Sequence, residues 1–241
     1  MLPTPRQLAH RAAEVLVAAA RQAVAARGRF TLALSGGHTP RMLYRILARA
    51  GPSALPYHRT HIFWTDERSV PPQDRRSNYR LAWEAWLAQM EVAPGRVHRI
   101  RGEDDPDAAA RRYEAEIRRV VGRSPRFDLI LLGIGPDGHT ASIFPGAPPP
   151  RGRLVAPATA PVAPRRRVTF TPRLIAGAAR VLVLVCGSDK AGVVRRVLSG
   201  SAPALPASRL RGPRVLWLLD AAAAARLPAR FSQRSRPAAT D

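Results

Sequence analysis

The sequence predicts a single-domain α/β fold in which a mostly parallel sheet carries helices on both faces. Two observations lead there. Strand-like and helix-like segments alternate almost throughout the 241 residues. The strand-like ones are unbroken apolar runs, the pattern of strands buried on both faces. Leu8, Ala12, Val15, Ala19 and Ala23 recur at helical spacing and place a helix directly ahead of a strand at 30–34. A turn at 35–37 and a helix from 40 to about 50 follow, Pro40 being suited to a first helical turn. The next strand is 61–64, then a polar loop, then a helix from about 78 to 90 with Asn78 as its N-cap. A short strand is expected at 97–100, a helix at 107–121, and a continuous apolar strand at 127–132 that runs into a Gly-rich loop. Later strands fall at 167–171, 181–186 and 215–219. Residues 145–164, rich in Pro and Ala, read as an irregular crossing stretch. No internal repeat is seen. One domain over 1–228, with a frayed tail at 229–241, accounts for the chain.

Composition removes several classes. At 46% hydrophobic the chain can bury a substantial core, and at 23% charged it is not a disordered polyelectrolyte. No run approaches about 18 apolar residues, so no membrane-spanning helix is expected. Cys186 is the only cysteine, which rules out an internal disulfide and a Cys-based zinc cluster. At the end of an apolar strand it reads as a buried, inert thiol, and a cytoplasmic location is expected. The formal net charge of +22 suggests a polyanionic partner, yet Lys190 is the only lysine among 39 basic residues. Arginine is therefore a bias spread over the chain, with short clusters at Arg75-Arg76 and Arg165-Arg166-Arg167. Aromatics make up 6%, and no motif interleaves basic and stacking residues, which argues against nucleic-acid binding as the main function.

In an open α/β sheet, ligands collect at the carboxyl ends of the strands. Three loops there carry chemistry. The first, Ser35-Gly36-Gly37-His38-Thr39-Pro40, is either an anion site made of free N–H groups and a helix N-terminus or a tight turn with a hydroxyl cap. It lacks the Gly-Lys-Ser/Thr ending of a P-loop. In the second, Thr65-Asp66-Glu67-Arg68, the acids either form ion pairs with nearby arginines or flank an Arg68 that offers a forked donor to a phosphate or carboxylate. The third, Gly133-Ile134-Gly135-Pro136-Asp137-Gly138-His139-Thr140-Ala141-Ser142, groups one carboxylate, one imidazole and two hydroxyls. His139 can accept and return a proton near neutral pH, with Asp137 orienting the ring and stabilising its charged form. No Gly-x-Ser-x-Gly elbow is present, which favours activated water over a covalent intermediate. Lys190, just past another apolar strand, is either a chance survivor of the arginine bias or a compact ammonium for a tight phosphate pocket.

These loops, in this order, resemble the 6-phosphogluconolactonase family. The resemblance rests on residues 34–40, 64–71 with Ser77-Asn78, and 128–146. Weaker signatures lie at Arg167-Val-Thr-Phe-Thr171, Gly187-Ser-Asp-Lys190, Leu205-Pro-Ala-Ser208 and Trp217-Leu-Leu-Asp220, so that it covers about residues 5 to 228. It implies a modified Rossmann-like fold shared with sugar-phosphate isomerases and deaminases. It also implies a carboxylic ester hydrolase of the pentose phosphate pathway, converting 6-phospho-D-glucono-1,5-lactone to 6-phosphogluconate with neither metal nor other cofactor. Carried over by residue, His139 is the base for water, Arg68 and Lys190 hold the phosphate, and Gly36, Gly37 and Asp66 line the site. Where the family more often has Ser this chain has His38, leaving Ser35 and Thr39 as the hydroxyls of that loop. Loop N–H groups around Gly135 to Gly138 are expected to meet the oxyanion. The implied partner is a small anionic sugar phosphate, handled by a monomer or weak homo-oligomer. The nearest rival, a glucosamine-6-phosphate deaminase, carries an acidic residue shortly after the His, and Thr140-Ala-Ser-Ile-Phe-Pro145 contains none. A nucleic-acid-binding protein is the remaining alternative.

Overall fold

Every residue of Phe30–Leu34, Leu129–Leu132 and Val181–Val185 is buried, which requires strands covered on both faces. The computed structural model describes residues 1–147 and 152–231. In chain order, α1 (Pro5–Arg27) leads into β1 (Phe30–Leu34) and α2 (His38–Arg49). Next come β2 (Thr60–Trp64), β3 (Asp66–Arg68), α3 (Asn78–Ala85), α4 (Pro106–Val121) and β4 (Leu129–Leu132). They are followed by β5 (Val155–Thr159), β6 (Arg166–Phe170), α5 (Pro172–Ala176) and β7 (Val181–Val185). The last are α6 (Ala191–Ser199), β8 (Val215–Leu219) and α7 (Ala221–Ala224).

The main sheet is parallel, in the order β2-β1-β4-β7-β8. The order turns back between β1 and β4, so a crevice opens at their carboxyl ends. Local sequence sets the helices that flank it. Thr4 caps α1 by accepting the Gln7 N–H at 3.2 Å, and Gly28, at φ 69°, ends it. Asp105 caps α4 through the N–H groups of Asp107 and Ala108. The Asp128 carboxylate accepts both the N–H and the hydroxyl of Thr31, at 2.8 and 2.9 Å, and so ties the entry of β4 to β1. Among the described residues no helix is long and apolar enough to cross a membrane.

A second, three-stranded antiparallel sheet, β3-β6-β5, departs from the sequence reading. Asp66–Arg68 is an edge strand and not part of a polar loop: Asp66 and Arg68 face one side, and Glu67 turns to the other, where it meets α3. Within 145–164, expected to be irregular, residues 155–159 pair with β6. The Glu114 carboxylate of α4 receives the N–H groups of Leu154 and Val155 at the start of that strand. Residues 148–151 of the stretch lie outside the described residues. The strand expected at 97–100 is only a bridge between Val97 and Ile62, because the His98 carbonyl is taken by the Tyr113 hydroxyl and not by a ladder. The helix expected to reach 90 stops at Ala85. Trp86 leaves helical torsions and buries itself, stacked on Tyr44 and donating to the Tyr57 hydroxyl at 2.9 Å. The tail expected from 229 opens with a 3-10 turn at Ala229–Phe231, and 232–241 lie outside the described residues.

Tyr113 also protects the outer edge of β2. Its buried hydroxyl accepts the Trp64 N–H at 2.8 Å while contacting the His98 carbonyl at 3.0 Å. Tyr113→Phe leaves that N–H buried without a partner, and an unsatisfied buried donor costs about 1–3 kcal/mol. Denaturant unfolding of the variant is expected to show that loss; an unchanged midpoint and slope would refute the assignment.

Candidate active site

The loops leaving β1, β2, β4 and β7 converge on a cleft of 460 Å³. Ser35, Gly36, Gly37, Thr39, Asp66, Arg68, Gly135, His139 and Lys190 all line it. Asp137 and Gly138 stand behind that lining, Asp137 against the His139 ring and Gly138 against Leu205. A more apolar cavity of 480 Å³, lined by Ile143, Phe144, Ile175 and Leu210 among others, holds arginines but no acid, imidazole or lysine. It therefore offers no proton-transfer group.

The loop after β4 is closed on itself. Gly135 N–H donates to the His139 carbonyl at 2.9 Å, Gly138 N–H to the Gly135 carbonyl at 3.0 Å, and the Thr140 hydroxyl to the Gly133 carbonyl at 2.9 Å. These bonds correct the expectation that the amides of Gly135 and Gly138 are free for an oxyanion: both are engaged inside the loop. What the closure provides is a fixed imidazole. His139 Nδ1 lies 2.6 Å from Asp137 Oδ1, which also accepts the His139 backbone N–H at 3.1 Å. An ionised carboxylate only accepts, so Nδ1 carries the hydrogen and Nε2 keeps its lone pair. Burial pushes the Asp137 carboxyl up, but these hydrogen bonds and the attraction of the ring in its protonated form outweigh it and hold the group below its ordinary range. Phe144 packs on the imidazole with ring centroids 4.8 Å apart. A Cβ at Gly135 would stand 2.1 Å from the ring. Glycine is needed there because the imidazole occupies the side-chain position.

At the start of α2 the amides of Gly37, His38 and Thr39 donate to no acceptor among the described residues, leaving a cluster of N–H groups at the cleft. Gly36 packs against Asn78, whose Oδ1 would lie 1.9 Å from a Cβ at that position. Asn78 is not the N-cap. Ser77 is, accepting the Arg80 N–H, while the Asn78 side-chain amide donates to the Asp66 carbonyl at 2.9 Å. Of the two alternatives for Asp66 and Glu67, the ion pairs with arginines are absent among the described residues. Asp66 accepts the Ser142 hydroxyl at 2.7 Å, which links β3 to the His139 loop. Glu67 accepts the N–H groups of Arg68, Asn78 and Tyr79 and the Ser77 hydroxyl, at 2.7 to 2.9 Å. Burial nevertheless pushes its carboxyl above the ordinary range.

Lys190 closes a 3-10 turn, Ser188–Lys190, directly before α6, and its ammonium lies 3.4 Å from the Asp189 carboxylate. Cys186 is half-buried on the cleft wall and not sealed in the core, since it is the first residue past β7. Burial first, and then the Asp220 charge, raise its thiol to about 11, so it stays protonated and inert. Among the described residues, no group of three or more His, Cys, Asp or Glu side chains is placed to hold a metal ion.

A family model described as glucosamine-6-phosphate isomerases/6-phosphogluconolactonase matches residues 3–217. The chain belongs to this family. Over 180 residues it is 41% identical to a 6-phosphogluconolactonase of Treponema pallidum, covering 73% of this chain and 75% of the relative. A 6-phosphogluconolactonase of Nostoc sp. is 37% identical, with 94% of this chain and 97% of the relative covered. Among solved structures, that of devB protein superposes with a TM-score of 0.87 at 33% identity, covering 95% of this chain and 98% of that one. A monomeric glucosamine-6-phosphate deaminase superposes with a TM-score of 0.81 at 25% identity, covering 93% and 97%. Within the family, then, fold alone does not separate lactonase from deaminase.

Sequence reasoning missed the parts that hold the site together. Ser142 reaches Asp66 across 76 residues and Asn78 packs on Gly36, while Phe144 and the carboxylate of Glu67 act on groups nearer in the chain. All four lay within the segments the sequence singled out, but their partners could not be read from it. The crowding at Gly135 yields a direct test. Gly135→Ala is expected to displace the His139 ring and lower kcat about tenfold or more, as a misplaced catalytic group does, with the fold retained by circular dichroism. Wild-type kcat would contradict the close packing.

Proposed function

We propose that this chain hydrolyses 6-phospho-D-glucono-1,5-lactone to 6-phosphogluconate, with His139 activating water. The observation that carries the reading is the His139–Asp137 pair, 2.6 Å apart, with its imidazole facing a cleft that also holds Arg68 and Lys190. Family membership and relatives named 6-phosphogluconolactonase support it. Water attacks the lactone carbonyl as Nε2 takes its proton, and Asp137 stabilises the imidazolium that forms. The tetrahedral intermediate places negative charge on the former carbonyl oxygen. With Gly135 and Gly138 engaged, its stabilisation falls to donors elsewhere in the cleft. Collapse breaks the bond to the ring oxygen, which receives the proton back from Nε2 and leaves as the hydroxyl of the open chain. Arg68 and Lys190 hold the phosphate away from the reacting carbon.

The same reading places the protein in the cytoplasm, acting on a small anionic substrate as a monomer or weak homo-oligomer, with residues 1–228 as its working domain. Dispersed arginines support a sugar phosphate over a nucleic acid as the partner. For the deaminase alternative, residues 140–145 supply no carboxylate beside His139.

The purified protein is expected to speed lactone hydrolysis above the spontaneous rate, followed by acid release, and to release no ammonia from glucosamine 6-phosphate. The opposite pair of results would replace the lactonase reading by the deaminase one. His139→Ala is expected to lower kcat about 10²–10⁴-fold, the range of general-base catalysis, with KM nearly unchanged; near-full kcat would remove the base from the mechanism. For Lys190→Ala the expectation is a KM raised about tenfold or more with a smaller change in kcat, since a charged hydrogen bond is lost. An unchanged KM would remove Lys190 from the phosphate site.

A further inference from the structure

Among the described residues, one charged side chain is more than nine-tenths buried yet has no hydrogen-bond partner. It is Arg167, 7% exposed, with its Nε sealed from solvent. In the antiparallel ladder of β3 and β6 it stands directly opposite Arg68, just as Asp66 stands opposite Thr169. Side chains on paired strands alternate between faces, so Asp66, Arg68, Thr169 and Arg167 share one face of the small sheet. Asp66 and Arg68 line the cleft; Arg167 is not itself in that lining but neighbours Arg68 on the same face.

Like charges directly opposite each other on paired strands are destabilising, and burial raises the cost. Burial and the neighbouring Arg68 both hold the Arg167 guanidinium below its ordinary range. The charges of Asp66 and Glu67 offset this in part, but among the described residues no carboxylate forms a hydrogen bond or ion pair with Arg167. Asp66 is engaged by Ser142 and Asn78, and Glu67 is turned to the other face among four donors. Arg68 spends one terminal nitrogen on the Arg76 carbonyl, and its own Nε is also buried without a partner. Two neighbouring guanidinium groups that no carboxylate pairs directly match a dianion with several acceptor oxygens.

We infer that Arg167 is a substrate-binding residue that completes, with Arg68, a two-guanidinium site for the phosphoryl group. The inference rests on the sugar-phosphate reading above and adds to it a third cation for the phosphate, beside Arg68 and Lys190. It also separates two quantities that a packing role would move together. A residue that only fills space affects every substrate alike, whereas a phosphate ligand affects only phosphorylated ones.

The test compares wild type, Arg167→Gln and Arg167→Lys on 6-phospho-D-glucono-1,5-lactone and on unphosphorylated D-glucono-1,5-lactone, with inorganic phosphate as a separate binding probe. For Arg167→Gln, KM for the phosphorylated lactone is expected to rise about tenfold or more, the value of a hydrogen bond to a charged group. Inhibition by inorganic phosphate should weaken in parallel, with kcat and the unphosphorylated reaction nearly unchanged. Arg167→Lys should fall between the two. Because the variant removes a like-charge contact, its Tm without phosphate is expected to match or exceed that of wild type. Equal losses on both lactones, or unchanged KM and phosphate inhibition, would overturn the inference. Should wild type fail to hydrolyse the phosphorylated lactone, the proposed reaction falls, while phosphate binding lost in Arg167→Gln would still uphold the site.

Discussion

A parallel strand buried on both faces must be followed by a crossover that returns the chain to the same edge of the sheet. In this protein that constraint decides where every functional loop lies. β1, β2, β4 and β7 all end at one edge, and the segments that leave them supply the α2 amides, Asp66 and Arg68, the His139 loop, and Lys190. Residues more than 150 positions apart in sequence thus share one cleft. Because the strand order turns back between β1 and β4, the helices after them diverge and leave room for a ligand.

The edge supplies position, and the small antiparallel sheet supplies orientation. Its strand β3 is too polar to be held by apolar packing alone, and the buried Glu67 carboxylate holds it instead, collecting four donors from the strand and the start of α3. With Glu67 turned one way, alternation along the strand turns Asp66 and Arg68 the other way, towards the cleft. Asp66 then reaches Ser142 and couples this wall to the His139 loop. The imidazole is packed against Gly135 and Phe144 and oriented by Asp137. Such a site is built from polar groups whose partners are other polar groups, and each of them loses its purpose when its neighbour is removed.

Arginine raises the opposite question. Most of the positive charge is solvated or paired: arginines of α4 and the neighbouring segments meet acids at Glu103, Asp104, Asp107 and Glu114. Net charge therefore says little about the partner. Lys190, Arg68 and Arg167 are set apart by where the fold puts them, Lys190 past the end of β7 and the two arginines facing each other across β3 and β6. The fold itself is shared with a deaminase at a TM-score of 0.81, so chemistry is decided by side chains in the cleft and not by architecture.

The sequence by itself determined the family, the parallel sheet and most of the helices, because apolar runs and helical spacing are local properties that survive into the folded chain. It also exposed His139, Asp137, Arg68 and Lys190, since a Gly-rich loop with an imidazole, and a single lysine among arginines, stand out in one dimension. Hidden from it were β3 and β5, whose polar or Pro-containing residues become strands only through partners far along the chain. Hidden too were the true cap at Ser77, the engaged amides of Gly135 and Gly138, and the half-exposed Cys186. Only the tertiary structure decided those, because hydrogen-bond partners and cross-strand neighbours are set by which distant segments meet. Arg167 is the clearest case: its local sequence marks a strand and a family signature but not a neighbour, and pairing of β3 with β6 alone places it opposite Arg68.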